Sequence, residues 1–251
     1  MKRYFLELSY AGKNYHGWQR QPSMISIQQT IEDRMRLLLR EPVELTVAGR
    51  TDAGVHAKRT FAHFDVEKSL DIPMTINRLN SFLPQDIAVM NILPVKAGAH
   101  ARYDAIDRTY RYIIVTKKNP FMTDWAWRHQ GPLDVKAMQE AAEILMKYED
   151  FKSFSKVKTD VKTFICQIKE ARWEIKDDRL DFVITANRFL RNMVRAIVGT
   201  LVDIGSGKYE PEQMHRIIQA RDRRAAGASA PPQGLYLENV RYPQEIFLPN
   251  H

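Results

Sequence analysis

The segment Gly49-Arg50-Thr51-Asp52-Ala53-Gly54 sets a carboxylate between two glycines and two residues after an arginine. Glycine permits backbone conformations and close approaches that other residues cannot adopt. An aspartate held there is either a turn residue, hydrogen-bonding its own backbone, or a presented nucleophile. From spacing alone the turn is the commoner outcome. Arg50 favours chemistry, because a neighbouring guanidinium stabilises the ionised carboxylate that a nucleophile needs. Arg50 is equally suited to binding a phosphate.

Other residues invite similar pairs of readings. In Tyr110-Arg111-Tyr112, strand alternation puts two phenols on one face and an arginine on the other. They suit cross-strand packing, or a surface where an unstacked base lies on a tyrosine ring, worth about 1–3 kcal/mol per base. Arg188, Arg191 and Arg195 recur at helical spacing beside an apolar stripe running from Phe189 to Val202. Such a row is usually a solvated face. Arg195, flanked by Val194 and Ala196, is also placed to turn inward toward a buried carboxylate, the partner a buried arginine needs. Arg216, Arg221, Arg223 and Arg224 precede a turn-prone stretch ending at Gly234, which fits a charged helix end or a set of phosphate contacts. Phe121, Trp125, Trp127 and His129 fit an edge hairpin or a stacking surface.

Several chemistries lack their motifs: there is no phosphate-binding Gly-x-x-x-x-Gly-Lys-Ser/Thr, Gly-x-Gly-x-x-Gly, His-Glu-x-x-His or Gly-x-Ser-x-Gly. His16, His56, His63 and His100 are scattered, so no metal site is expected. Cys166 is the only cysteine, which excludes an intrachain disulfide and fits a reducing cytoplasm.

The elements that must position these residues are legible from periodicity and breakers. Residues 3–10 read as a strand, and Ser26 caps a helix running to about Arg40. Val43 to Val47 reads as a strand leading into the Asp52 segment. Strands follow at Thr60–Val66 and Ile87–Val95, flanking a helix at about Met74–Phe82, and another strand covers Arg108–Thr116. A helix is expected from Val135 to Lys147, then strands near Thr163–Ile175 and Leu180–Ala186. A long helix from Phe189 to about Ile204, a short one around Pro211–Ala220 and a last strand at Leu235–Arg241 complete the chain. Helices among hairpin-compatible strands predict an α+β fold with a mostly antiparallel sheet. The two halves share a loose order of elements, which suggests a duplicated domain.

The chain has 251 residues and a formal charge of +8, which favours a polyanionic partner. The N-terminus reaches an acid before any signal-like apolar core forms, and no apolar run approaches the roughly 20 residues of a membrane span. A soluble, cytoplasmic protein without a membrane partner is the expectation.

With these residues in view, the chain resembles the tRNA pseudouridine synthase A family from about residue 4 to residue 243. Tyr10-Ala-Gly-Lys-Asn-Tyr-His-Gly-Trp-Gln-Arg-Gln21 resembles the family's opening motif and Gly49–Ala57 its catalytic loop. Arg108-Thr-Tyr-Arg-Tyr112 resembles its tyrosine strand, Asp150-Phe-Lys-Ser-Phe154 its mid-chain motif, and Phe189–Arg195 with Gly199 its helix motif. Ala230–Leu237 with Tyr242-Pro243 resembles its final strand. The chain departs from the family at Lys58-Arg59-Thr60-Phe61, where a glycine-glutamine pair is usual, at Lys147-Tyr148-Glu149, and at Arg191.

The resemblance implies that Asp52 is the catalytic aspartate, Tyr110 the active-site tyrosine, Arg195 the arginine paired with the aspartate, and Arg50 an arginine handling the RNA backbone and base displacement. It implies a cofactor-free, metal-free isomerisation of uridine to pseudouridine at tRNA positions 38 to 40 in the anticodon stem-loop, by a homodimer holding one tRNA. The implied fold has two similar domains, 1–104 with the aspartate loop and 105–251 with the tyrosine strand and arginine helix. Together they would form one continuous, mostly antiparallel sheet with flanking helices and a central active-site cleft.

Overall fold

The computed structural model describes residues 1–157 and 161–249. The chain divides into two compact units, Met1–Ile106 together with the segment from Tyr236 onward, and Asp107–Leu235.

The first unit begins with β1 (Lys2–Tyr10), α1 (Ile27–Leu39), β2 (Thr46–Val47), β3 (His56–Val66), α2 (Ile72–Phe82) and β4 (Ile87–Pro94). β1 is central, antiparallel to both β3 and β4, with Phe5 opposite His63 and Leu6 opposite both Ala62 and Ile92. Its Phe5, Leu6 and Leu8 are completely buried, which accounts for a run richer in apolar residues than a half-exposed strand shows. α1 is capped by Ser26, whose hydroxyl accepts from the Gln29 N–H, and it buries Ile27, Ile31 and Met35 at four-residue spacing. Arg40 ends it in the left-handed region at φ 58°.

The strand expected from Val43 forms a ladder only at Thr46–Val47. Just before it, the Leu45 N–H donates to Glu32 Oε1 at 2.9 Å, and the same oxygen accepts from Gln28 Nε2 at 2.8 Å. A buried carboxylate on α1 thus satisfies a backbone donor of the chain entering β2.

The second unit contains β5 (Asp107–Val115), β6 (Trp127–Arg128), α3 (Val135–Leu145), β7 (Ile168–Lys176), β8 (Arg179–Ala186), α4 (Met193–Gly205) and α5 (Gln213–Ala220). β8 lies between β5 and β7, antiparallel to both, with Tyr110 opposite Ile184 and Tyr112 opposite Phe182. α3 and α4 contribute a shared apolar layer in which Met138, Ala141, Ala142, Ile197 and Leu201 are buried.

The expected helix from Phe189 starts only at Met193, because Asn192 has φ 65°, which a right-handed helix cannot include. Arg188 and Arg191 therefore precede α4, and the predicted helical row of three arginines does not exist. Similarly, the strand expected from Thr163 begins its ladder at Ile168. The last strand, β9 (Leu235–Arg241), returns to the first unit and runs parallel to β3, with His56 opposite Tyr236 and Ala57 opposite Leu237.

The strands of the first unit are ordered β4-β1-β3-β9 with β2 on β3, and those of the second β5-β8-β7 with β6 on β5. The short β3/β9 and β5/β6 pairs are parallel, whereas the long ladders are antiparallel. The α+β class read from the sequence is the class observed. Among the described residues, no helix is long and apolar enough to cross a membrane.

Candidate active site

Asp52 sits on the connection between β2 and β3. The Val55 N–H donates to the Asp52 carbonyl at 3.1 Å, closing a four-residue turn whose third residue, Gly54, has φ +77°. A positive φ at that position is what a type II turn requires. Asp52 is thus a turn residue in its main chain, with its carbonyl closing the turn. Thr51 and Val55 on either side are buried, and Asp52 is half-buried.

A second segment clamps this turn. The Trp18 N–H donates to the Thr51 carbonyl at 3.1 Å, and the Gly54 N–H to the Tyr15 carbonyl at 3.3 Å. The Gly12 N–H donates to His56 Nδ1 at 3.1 Å, and the hydroxyls of Tyr10 and Thr51 lie 2.8 Å apart. The approach is so close that a Cβ on Gly17 would sit 2.6 Å from the Thr51 carbonyl oxygen and 3.1 Å from the Asp52 carbonyl carbon. Gly17 also has φ +89°, so glycine is required there on two counts. Tyr15 is fastened by its hydroxyl, which donates to Asp86 Oδ1 at 2.5 Å. Burial, then this hydrogen bond, raises its phenol well above the usual range. The two motifs around residues 10–21 and 49–57 therefore form one body. This pairing was missed in the sequence, where Gly12 and Gly17 were its only signal. Arg50 lies exposed at the entry to the turn.

Tyr110 and Arg195 belong to the second unit. Tyr110 is 9% exposed, with its ring edge-on to Phe189 at 5.0 Å. Tyr112, on the same strand, is core: its hydroxyl donates to the Pro231 carbonyl at 2.7 Å. The two phenols thus differ, although alternation placed them on one face. Arg111 occupies the opposite face in an ion cluster, 2.8 Å from Glu174 and 3.0 Å from the fully buried Asp181. Hydrogen bonds from Arg172, Arg111 and Lys176 hold the Glu174 carboxyl far below its ordinary range.

Arg195 is half-buried near the start of α4, where its Nε donates to the Ala230 carbonyl at 2.7 Å, and the Ala230 N–H returns a bond to the Arg195 carbonyl at 2.9 Å. The strap carrying Ala230 is further held by Arg223, whose guanidinium donates to the Gly227 carbonyl at 3.0 Å and to Ser229 Oγ at 2.9 Å. Gly199 permits the contact, since a Cβ there would overlap the Ala228 carbonyl oxygen.

The downstream arginines are accordingly not one patch. Arg223 fastens the strap, Arg224 pairs with Asp222 at 2.7 Å, and Arg221 pairs with Asp150 at 3.0 Å. Arg216 is exposed. Trp127 packs edge-on against Tyr112 at 6.2 Å, while Phe121 is 86% exposed. Among the described residues, no group of three or more His, Cys, Asp or Glu could hold a metal ion. Burial raises the Cys166 thiol to about 11, so it is not a ready nucleophile.

Comparison with known proteins bears on the family. A family model described as tRNA pseudouridine synthase matches residues 141–243. A tRNA pseudouridine synthase A from Parabacteroides distasonis is 50% identical over 98% of both chains. One from Bacteroides fragilis is 51% identical, over 98% of this chain and 99% of its own. A more distant relative of the same name, from Geobacter sulfurreducens, is 40% identical over 96% of this chain and its whole length. With full-length similarity at this level, the chain belongs to the tRNA pseudouridine synthase family and is an isomerase of that family.

Proposed function

We propose that the protein isomerises uridine to pseudouridine at positions 38, 39 and 40 of the tRNA anticodon stem-loop, with Asp52 as nucleophile or base. The reaction breaks the bond from uracil N1 to ribose C1′ and makes one from C5 to C1′; C5 loses a proton and N1 gains one, directly or by exchange with solvent. Atoms and electrons then balance, so the proposed reaction needs no oxidant or reductant. Asp52 adds to the sugar or base, or stabilises and deprotonates an intermediate.

In this reading Tyr110 stacks on the uracil and helps remove the C5 proton. Arg195 orients the aspartate, and Arg50 contacts the RNA backbone as the base is displaced. The two halves, divided near residue 104, carry the aspartate loop and the tyrosine and arginine respectively. A cytoplasmic homodimer is part of the same proposal. The target base must leave its stack, at a cost of a few kcal/mol that is least in loops and at weak stem ends. The basic chain supplies compensating attraction to phosphates.

The observation that carries the proposal is the Asp52 turn. Its main chain is clamped from both sides, which fixes the position of Asp52 between the buried Thr51 and Val55. The test is Asp52→Asn with unmodified tRNA and carbodiimide mapping of pseudouridine. The expected result is no product, with thermal stability and tRNA affinity close to wild type. Near-normal turnover would sink the assignment of Asp52, and signal confined outside the anticodon stem-loop would reject the site specificity.

A further inference from the structure

Beside the Asp52 turn, residues 20–25 form a small projecting hairpin that the assigned roles leave unused. Gln21 and Met24 pair across its tip, and Ser23 adopts φ 61°. The hairpin is firmly mounted. The His16 N–H donates to the Ile25 carbonyl at 3.0 Å, and the Ile27 N–H to the Gly17 carbonyl at 3.2 Å. Gln28 Oε1 accepts from the Arg20 N–H at 3.1 Å and from Gln19 Nε2 at 2.9 Å. Gly17, whose carbonyl accepts from the Ile27 N–H at the hairpin's exit, abuts Thr51 and Asp52, so the base of the hairpin lies beside the turn.

What this mount presents is unusual for a surface loop. Met24 and Ile25 are 46% and 65% exposed, and with Gln29 and Arg20 they line an open hollow of about 560 Å³. Arg20 is 45% exposed, and its guanidinium forms ion pairs with Glu32 and Asp33 at 3.8 and 3.6 Å. Gln29 uses its main-chain N–H at the helix cap, and its side-chain amide has no protein partner among the described residues. An apolar platform, a free amide and a half-exposed guanidinium, held by two long ion pairs, match the face, edge and phosphate of one nucleotide. A thioether against an aromatic ring is itself a favourable contact.

We infer that this hollow is a nucleotide subsite: it receives an unpaired nucleotide of the RNA adjacent to the uridine that reaches Asp52. The base lies on Met24 and Ile25, the Gln29 amide bonds its edge, and Arg20 takes its phosphate. An occupant there keeps the strand from restacking over the vacated position. The inference rests on the proposed reaction at Asp52.

The test combines a Met24→Ser/Ile25→Ser double variant with tRNA transcripts carrying one abasic nucleotide immediately 5′ or 3′ of the target uridine. The double variant is expected to raise KM about tenfold, with a smaller change in kcat, and to keep the wild-type melting temperature, since both side chains are exposed. One of the two abasic transcripts should raise the wild-type KM by the same factor. The variant acting on that transcript should show no further rise, because the same contact is already missing. An unchanged KM in the double variant, or losses that multiply to about a hundredfold, would overturn the subsite. Wild-type protein that isomerises normal tRNA in the same assay separates that failure from failure of the Asp52 reaction. If it leaves every uridine unchanged, the reaction and the subsite fall together.

Discussion

Gly17 shows how much can hang on the absence of a side chain. It contributes no functional group, yet its backbone is the surface against which the Thr51 and Asp52 main chain rests. Gly17→Ala introduces both a steric overlap and a disfavoured positive φ, so the turn must shift. The expected outcome is a stability loss of about 1–3 kcal/mol and a fall in turnover of at least about tenfold. Gly98→Ala is the control, as a Cβ there meets nothing within 4 Å. Equal melting temperature and turnover for the two variants would mean that the clamp does not position Asp52. Gly17 was present in the opening motif, but nothing in its neighbours announced that residues 34 positions later would press on it. That contact is a product of the paired strands, not of local chemistry.

At the scale of elements, Glu32 links α1 to the chain entering β2. The residue is 3% exposed, and its carboxylate accepts from Leu45 N–H and Gln28 Nε2. Glu32→Leu removes the acceptor and leaves a buried N–H unsatisfied, at a cost of about 1–3 kcal/mol. Glu32→Gln retains an acceptor oxygen and should lose less. Chemical denaturation of the three proteins checks the order, and a Leu variant as stable as wild type would contradict it. Val43–Val47 alternates like a strand, but the ladder forms only at Thr46–Val47, and the pattern carries no sign of the helix glutamate that the Leu45 N–H meets. α4 has a similar lesson. Its apolar stripe was legible, but the left-handed Asn192 that separates Arg188 and Arg191 from Arg195 was not, because asparagine enters that region only when its surroundings favour it.

At the scale of the whole molecule, stability should fall on the acid side in a definite window. His63 is 8% exposed, accepts from the Ala101 N–H at Nδ1, and faces Phe5, His100, Arg3, Asp65 and Asp104. Burial, aided by Arg3 and His100, lowers its pKa from 6.5 to about 4. The unfolded chain therefore binds a proton that the folded chain refuses between about pH 6.5 and pH 4, and stability declines as pH falls through that range. The scale of the loss is about 3 kcal/mol for a shift of this size. Asp65 acts in the same direction, since the Arg3 hydrogen bonds lower its pKa and their stabilisation is lost as it protonates. His63→Gln should flatten the decline in melting temperature between pH 6.5 and 4.5. An unchanged slope would place the sensitivity elsewhere.

The sequence by itself determined the α+β class, most of the helices and strands, and, through ordered motifs, the family. These are set by local propensity, by hydrophobic period and by short spacings, all of which lie within a few residues of one another. Only the tertiary structure decided that the 10–21 and 49–57 segments form one clamped body and that Tyr112 is core while Tyr110 packs edge-on to Phe189. It also decided that Arg223 fastens a strap and that the last strand returns to the first unit. Each of those outcomes depends on which distant backbone donor or carbonyl a residue meets, and a single chain of letters carries no record of that until the strands have paired.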